Sequence, residues 1–451
     1  LQNTSYNARK DILGANYSDA LTELDNLICS YVDLGYYKKA CKLQNTVYNA
    51  RKDILGENHL DTLRSLDGLA CTYSYLGDYN KACELEDTAY NARKEVLGEN
   101  HPDTLRSLGN LASSYSNLGD YNKALEIRNA VYDALKDTLG ENHPNTLLAL
   151  NNLAVSYSCL GYYNKACELQ NTSYNALKDI LGAKHSDTLT VLANLANSFS
   201  DLGDYNKALE LCEEVYLARK EIQGENHPDT LTSLAKLAHL YSESGDFKKA
   251  LEMNKAVYNA RKKILGENHP DTLSALNDLA ISYSYFGDYN KACDLQNTVY
   301  NERKEILGDK HPDTLASLTN LAIYYSYLRD YNKALEMNKV VYNARKEIQG
   351  EKHADTLSVL YNLACSYFDL GDYNKALEQQ NILYNTIKEV LGENHPKTLS
   401  ALNDLASDYS SLGDYNKAFE LQNIVCNARI EIQGENHPDT LTSLGNLANY
   451  Y

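Results

Sequence analysis

A leucine that returns every 42 residues constrains the fold of this chain more than any other feature. It occupies positions Leu21, Leu63, Leu105, Leu147, Leu189, Leu231, Leu273, Leu315, Leu357, Leu399 and Leu441, without one insertion. A fixed period of about 20 to 50 residues is typical of solenoids, in which each unit buries its apolar face by stacking on its neighbours. We therefore predict one continuous array over residues 1–451, with ten full periods and partial ends. Both ends fall inside a period, so we expect the array to belong to a longer protein.

Two helices are predicted in each period. In Pro102 to Leu118, apolar residues recur at helical spacing, and proline suits the first helical turn. Gly119 then stands where a left-handed cap ends a helix. Asp120 can cap a second helix, which continues until Gly140. The pattern predicts an all-α solenoid of helix pairs, a first helix A and a longer helix B.

Composition excludes several classes of function. The net charge of −18 opposes the phosphate charge that a nucleic-acid-binding protein must neutralise. Apolar runs are far shorter than the roughly 18 residues of a membrane span, so we expect a soluble chain with no membrane insertion. The ten cysteines form no C-x-x-C motif and fall mostly in apolar repeat columns. We therefore expect reduced thiols and a cytoplasmic location.

No catalytic or metal chemistry is predicted from the repeated polar residues. Ten histidines, from His59 to His437, share one column, but each repeat offers only one of them, in a turn. A metal needs several converging ligands, so we interpret this column as turn and cap structure. The tyrosine columns, such as the one with Tyr115, are interpreted as packing positions. No nucleophile–base pair or phosphate loop stands out, so we expect no enzyme activity, cofactor or small-molecule substrate.

The segment from Asn110 to Ala124 follows the pattern N-L-A-x-x-Y-x-x-L-G-D-Y-x-K-A and resembles the tetratricopeptide repeat. The long helix B and the recurring ENHPDTL turn resemble the 42-residue form found in kinesin light chains. The resemblance implies a right-handed superhelix whose A helices line a concave groove that binds extended peptides. It also implies a cargo-adaptor role.

The groove asparagine of that family falls on one column of this sequence. The resemblance places it at Asn26, Asn110, Asn152, Asn194, Asn320, Asn362 and Asn446. The column departs from asparagine at Gly68, Lys236, Asp278 and Asp404. An asparagine amide offers two donors and an acceptor, which suits a clamp on a peptide backbone. Packing between repeats is the alternative interpretation, and the sequence leaves both open.

One stretch of the groove face is the candidate ligand site, because it gains apolar side chains. They are Tyr285, Ile323, Tyr327 and Phe368, together with Ile281 and Tyr361. We predict a peptide held by Asn320 and Asn362, an apolar anchor between Tyr327 and Phe368, and a carboxylate directed toward Lys236. Alternatively, these rings tile the inner wall and Lys236 pairs with Asp278.

Two classes of function remain open at this point. The first is a protein-binding scaffold, with a kinesin light chain-like adaptor as its specific form. The second is an architectural spacer in a larger protein.

Overall fold

The computed structural model describes residues 17–450, with side chains from residue 21 onward. Within that range every regular element is an α-helix. The helices are α1 (Tyr17–Asp33), α2 (Tyr37–Leu55), α3 (Leu60–Tyr75), α4 (Tyr79–Leu97), α5 (Pro102–Asn117), α6 (Tyr121–Leu139), α7 (Pro144–Cys159), α8 (Tyr163–Leu181), α9 (Ser186–Asp201), α10 (Tyr205–Gln223), α11 (Pro228–Glu243), α12 (Phe247–Leu265), α13 (Pro270–Tyr285), α14 (Tyr289–Leu307), α15 (Pro312–Tyr327), α16 (Tyr331–Gln349), α17 (Ala354–Asp369), α18 (Tyr373–Leu391), α19 (Pro396–Ser411), α20 (Tyr415–Gln433) and α21 (Pro438–Tyr450). Odd-numbered helices are A helices and even-numbered ones are B helices. The predicted all-α solenoid of helix pairs is confirmed.

Helix ends form where the sequence places capping groups. Nδ1 of His101 accepts a hydrogen bond from the backbone N–H of Asp103 at 3.2 Å. All ten histidines of the column make this bond, so their interpretation as caps is confirmed. A carboxylate oxygen of Asp120 accepts from the backbone N–H of Lys123 at 3.1 Å and so caps the B helix. Gly119 follows α5 with a positive φ of 81°, a conformation that glycine adopts without a steric penalty.

Buried clusters of the core join residues from neighbouring helices, in several cases from three successive ones. One cluster joins Leu318 and Leu321 of α15 to Val341 of α16 and Val359 of α17. A single helix pair therefore leaves apolar surface exposed until the next A helix covers it. This arrangement gives the nearest-neighbour stabilisation expected of a repeat protein.

The chain groups into two compact units. The first contains residues up to Ser156, with Arg261–Ser274 and Asn301–Thr314. The second contains Tyr157–Ala260, Ala275–Tyr300 and the chain from Leu315 onward. The single continuous array over residues 1–451 stays a prediction.

Contacts over a long sequence distance recur within the first unit. Nε2 of His269 lies 2.6 Å from the carbonyl oxygen of Asp33, and Nε2 of His311 lies 2.8 Å from that of Tyr75. Both pairs are 236 residues apart. Because Nδ1 of each ring accepts the capping bond, Nε2 carries the proton and donates to the carbonyl. These two histidines therefore have a second partner that the sequence did not indicate.

Candidate functional site

A cavity of about 540 Å³ opens between the A helices α15 and α17, and we name it the tyrosine cavity. Its lining residues are Ile323, Ser326, Tyr327, Arg329, Tyr331, Asn338, Asn362, Cys365 and Asp369. Binding pockets for ligands commonly measure about 300–1,000 Å³. The structure thus brings together three of the residues predicted from sequence, namely Ile323, Tyr327 and Asn362.

Tyr327 gives this cavity an accessible aromatic surface. It is the last residue of α15, and its ring stacks on Tyr289, the first residue of α14, with centroids 4.5 Å apart. The side chain is still 60% exposed. An aromatic ring fixed in this way adds contact area to a partner at little cost in conformational entropy.

Asn338 fixes the wall of the tyrosine cavity and was missed by the sequence analysis. It is 2% exposed, and its Nδ2 donates to Ser366 Oγ at 2.9 Å and to the carbonyl oxygen of Asn362 at 3.3 Å. These bonds join α16 to α17. Asn254 makes the same bond to Ser282 Oγ at 2.7 Å. In the sequence both asparagines stand 28 residues before a serine, and this shared spacing is the signal that could have identified Asn338.

The asparagine column has different partners at different repeats. Nδ2 of Asn320 donates to Oδ1 of Asn277 at 3.0 Å, and Asn446 makes the equivalent bond to Asn403 at 3.1 Å. These contacts link successive A helices, which favours the packing interpretation for Asn320. Asn362 instead lines the tyrosine cavity.

A second cavity, of about 200 Å³, lies between α17 and α19, and we name it the aspartate cavity. Its lining residues are Tyr361, Ala364, Cys365, Phe368, Asp369, Gln380, Asp404, Ser407 and Asp408. Tyr327 and Phe368, predicted to hold one side chain between them, thus line different cavities that share Cys365 and Asp369. The physical reason is their register. Asp369, and not Phe368, lies 42 residues after Tyr327, and one residue turns a helix by about 100°.

Burial raises the pKa of three acidic groups that line the aspartate cavity. It raises the pKa of Asp404, and it raises the pKa of Asp408 to about 6, with the charge of Asp404 adding to the effect. Burial likewise raises the pKa of the Cys365 thiol to about 11, so this thiol is protonated at neutral pH. The sequence held a signal for Asp408, because Ser366 and Ser282 occupy the equivalent position in other repeats.

The remaining predicted residues lie outside these two cavities. Tyr285 stacks on Phe247 with centroids 5.5 Å apart. Lys236 is on α11, where desolvation lowers the pKa of its ammonium group. Asn110 and Asn152 are exposed, and Asn194 is half-buried. The extended site that would include Lys236 stays a prediction.

Three further findings concern metals, thiols and membranes. Among the side chains that the structure describes, from residue 21 to 450, no group of three or more His, Cys, Asp or Glu has an arrangement suited to a metal ion. The ten cysteines are free, and six of them are buried. None of the helices bounded above is both long enough and apolar enough to cross a membrane.

Comparison with known families identifies tetratricopeptide repeats over most of the sequence. The matched segments are residues 21–95, 75–137, 108–179, 149–211, 187–263, 283–347 and 355–428. The chain belongs to the tetratricopeptide repeat family. This family generally provides non-enzymatic scaffolds for protein interaction.

Kinesin light chain-like proteins and a Rap protein are among the solved structures to which this chain is similar. A putative kinesin light chain of Podosopora anserina with nearly identical TPR-like repeats is 28% identical, with 46% of this chain and 98% of that chain covered and a TM-score of 0.40. BtubC (BKLC) from P. vanneervenii is 19% identical, covering 52% of this chain and 91% of that one, with a TM-score of 0.39. A Rap protein in complex with Competence and Sporulation Factor is 15% identical, covering 83% and 99%, with a TM-score of 0.52. A comparison with curated proteins finds no match.

Proposed function

We propose that this protein is a scaffold that binds an extended peptide segment of a partner along its A helices. The observation that carries the proposal is the tyrosine cavity, with about 540 Å³ of volume beside a 60% exposed tyrosine ring. Exposed apolar groups rimmed by polar residues are typical of binding surfaces. The reducing cytoplasm is the proposed location, since ten free thiols suit that compartment.

Each wall of the tyrosine cavity would contribute a different interaction. An apolar side chain of the peptide packs against Ile323 and the ring of Tyr327. The amide of Asn362 donates to and accepts from the peptide backbone, which holds the segment without reading its sequence. Asn320 contributes less, because its amide N–H already bonds to Asn277.

Peptides selected by phage display on the full chain provide the test, with affinities measured by fluorescence polarisation. We expect micromolar dissociation constants. Tyr327→Ala removes an aromatic anchor, which typically weakens binding by about 2 kcal/mol, or roughly 30-fold. Tyr75→Ala is the matched control, because it removes a stacked, exposed tyrosine from the same column in the first unit.

The role of Asn362 is tested by a second variant with its own control. Asn362→Ala should weaken the same peptides by about fivefold to tenfold, as expected for the loss of about 1 kcal/mol of hydrogen bonding. Asn175→Ala, which changes an exposed asparagine of the B helix α8 outside the groove column, should leave the affinity unchanged.

The architectural spacer is the competing function, and the same experiment separates the two. If no peptide binds in the micromolar range, or if Tyr327→Ala binds as well as the unaltered protein, the scaffold proposal is wrong. The kinesin light chain-like adaptor role is a narrower hypothesis. It requires that the chain associates with a kinesin heavy chain in a purified binding assay.

A further inference from the structure

One buried amide in the aspartate cavity lacks the partner that its counterpart has in another repeat. Gln296 donates from Nε2 to Asn277 Oδ1 at 3.0 Å and to the carbonyl oxygen of Ser317 at 3.3 Å. In the repeat of Gln380, the residue equivalent to Asn277 is Tyr361. Among the residues that the structure describes, Nε2 of Gln380 has no hydrogen-bond partner, although the side chain is only 2% exposed. A buried unpaired polar group in a native fold calls for a partner.

A second substitution introduces charge at the same place. In the preceding repeat, Asn338 donates to the hydroxyl of Ser366, which lies 28 residues later. The residue 28 positions after Gln380 is Asp408, so a carboxylate stands where other repeats have a hydroxyl. It lines the cavity together with Asp404.

The negative charge of this cavity is not balanced by its lining. Asp369, Asp404 and Asp408 contribute three carboxylates, and none of the described residues that line the cavity is a lysine or an arginine. Arg429 acts on Asp404 from a distance, but its guanidinium donates to Ser443 Oγ at 2.7 Å. Burial raises the pKa of Asp404 and of Asp408, as expected for carboxylates that have no cation close by.

The chain elsewhere shows how such a charge is neutralised. In the first unit, the guanidinium of Arg93 donates to both carboxylate oxygens of Asp67, at 2.8 and 2.6 Å. The residue equivalent to Arg93 in the repeat of the aspartate cavity is Ile387, which is buried and apolar. The residue equivalent to Asp67 is Tyr361, so this repeat lacks both members of the internal ion pair, and the carboxylates of Asp404 and Asp408 stand at other positions without an arginine at 387.

We propose that the aspartate cavity binds the arginine side chain of a peptide partner. A guanidinium group donates to carboxylates in a fork geometry, and its flat faces pack on aromatic rings such as Phe368 and Tyr361. Because a guanidinium group only donates, the carboxamide of Gln380 gains a partner when its amide is flipped and its oxygen is turned inward as the acceptor. The volume of about 200 Å³ is below the usual range for small-molecule ligands, so a single side chain fits better than a cofactor.

This inference rests on the proposed peptide-binding function and names one residue of the peptide. Asp369 lines both cavities, so a segment with its apolar anchor in the tyrosine cavity would direct a neighbouring arginine toward Asp404 and Asp408. The negative charge of the chain as a whole favours such a basic partner.

The test uses the full chain and two probes, Nα-acetyl-arginine amide and its uncharged citrulline analogue, with binding followed by NMR. We expect the arginine probe to bind at least tenfold more tightly than the citrulline probe. Asp404→Asn should weaken the arginine probe about tenfold, as expected when a charge-assisted hydrogen bond is lost. Asp278→Asn makes the same change in the same column outside the cavity and should leave binding unchanged.

Asp408→Ser provides a second variant that restores the residue found in most repeats, and it should also weaken the arginine probe. Thermal melting shows that each variant is folded. Equal binding of the two probes, or unchanged arginine affinity in folded Asp404→Asn and Asp408→Ser, would overturn the inference. If selected peptides then still depend on Tyr327, the scaffold proposal survives without the arginine site.

Discussion

Arg329 occupies a backbone conformation that glycine has in the equivalent turns, and replacing it should stabilise the protein. Its φ is +65°, whereas Gly287 and Gly371 have φ of +86° and +79°. Arg329 is the sole residue other than glycine with positive φ between residues 17 and 450. A left-handed conformation costs a residue with a Cβ about 1–2 kcal/mol.

The net effect of Arg329→Gly follows from two opposing terms. Relief of the left-handed conformation raises the free energy of unfolding by about 1–2 kcal/mol. The greater conformational freedom of glycine in the unfolded chain lowers the free energy of unfolding by about 0.5–1 kcal/mol. The Arg329 side chain is exposed, and the bond from its backbone N–H to Ser326 O, at 2.9 Å, does not need the side chain. We expect a net stabilisation of about 0.5–1 kcal/mol, or a rise in Tm of about 1–3 °C.

Gly371→Arg is the reverse change at an equivalent turn. A Cβ built on Gly371 meets no atom within 4 Å, so its cost is conformational and not steric. We expect a loss of similar size. Circular dichroism gives the Tm of both variants, and hydrogen exchange of the amides at the end of α15 reports the local change. A lower Tm for Arg329→Gly, or an unchanged Tm for Gly371→Arg, would contradict this reasoning.

Three further predictions concern a buried ion pair, a capping histidine and the number of repeats needed for folding. Asp67→Ala leaves the guanidinium of Arg93, which is 2% exposed, without its carboxylate, and urea unfolding should show a loss of about 3–5 kcal/mol. Burial lowers the pKa of His395 from 6.5 to about 4. As the pH drops from about 6.5 to 4, the unfolded chain therefore binds a proton at this residue that the folded chain does not, and the stability of the fold decreases. His395→Asn keeps a capping oxygen and should flatten the Tm profile over that range; an unchanged profile would contradict it. A single helix pair such as residues 102–139 should be unfolded by circular dichroism and three consecutive repeats helical, and a cooperatively folded single pair would refute this expectation.

The ends and register of the helices were determined by the sequence alone. Pro102, Gly119 and Asp120 act within a few residues of themselves, so their effect does not depend on distant parts of the chain. Helix α5 ends one residue before the predicted limit, and α6 has the predicted bounds. The interpretation of His101 as a cap follows from the same local chemistry and is confirmed.

The composition of the candidate site was decided by tertiary structure. The sequence named Tyr327 and Phe368 as neighbours, but only the packing of successive A helices showed that they line separate cavities. Gln380 makes neither bond of its counterpart Gln296, and the side-chain acceptor Asn277 is replaced by Tyr361, on another helix. His269 meets a carbonyl group 236 residues away. The 42-residue pattern determines the position of each residue within its own helix pair. The contacts of its side chain depend also on which residues the neighbouring repeats place against it when the helices stack.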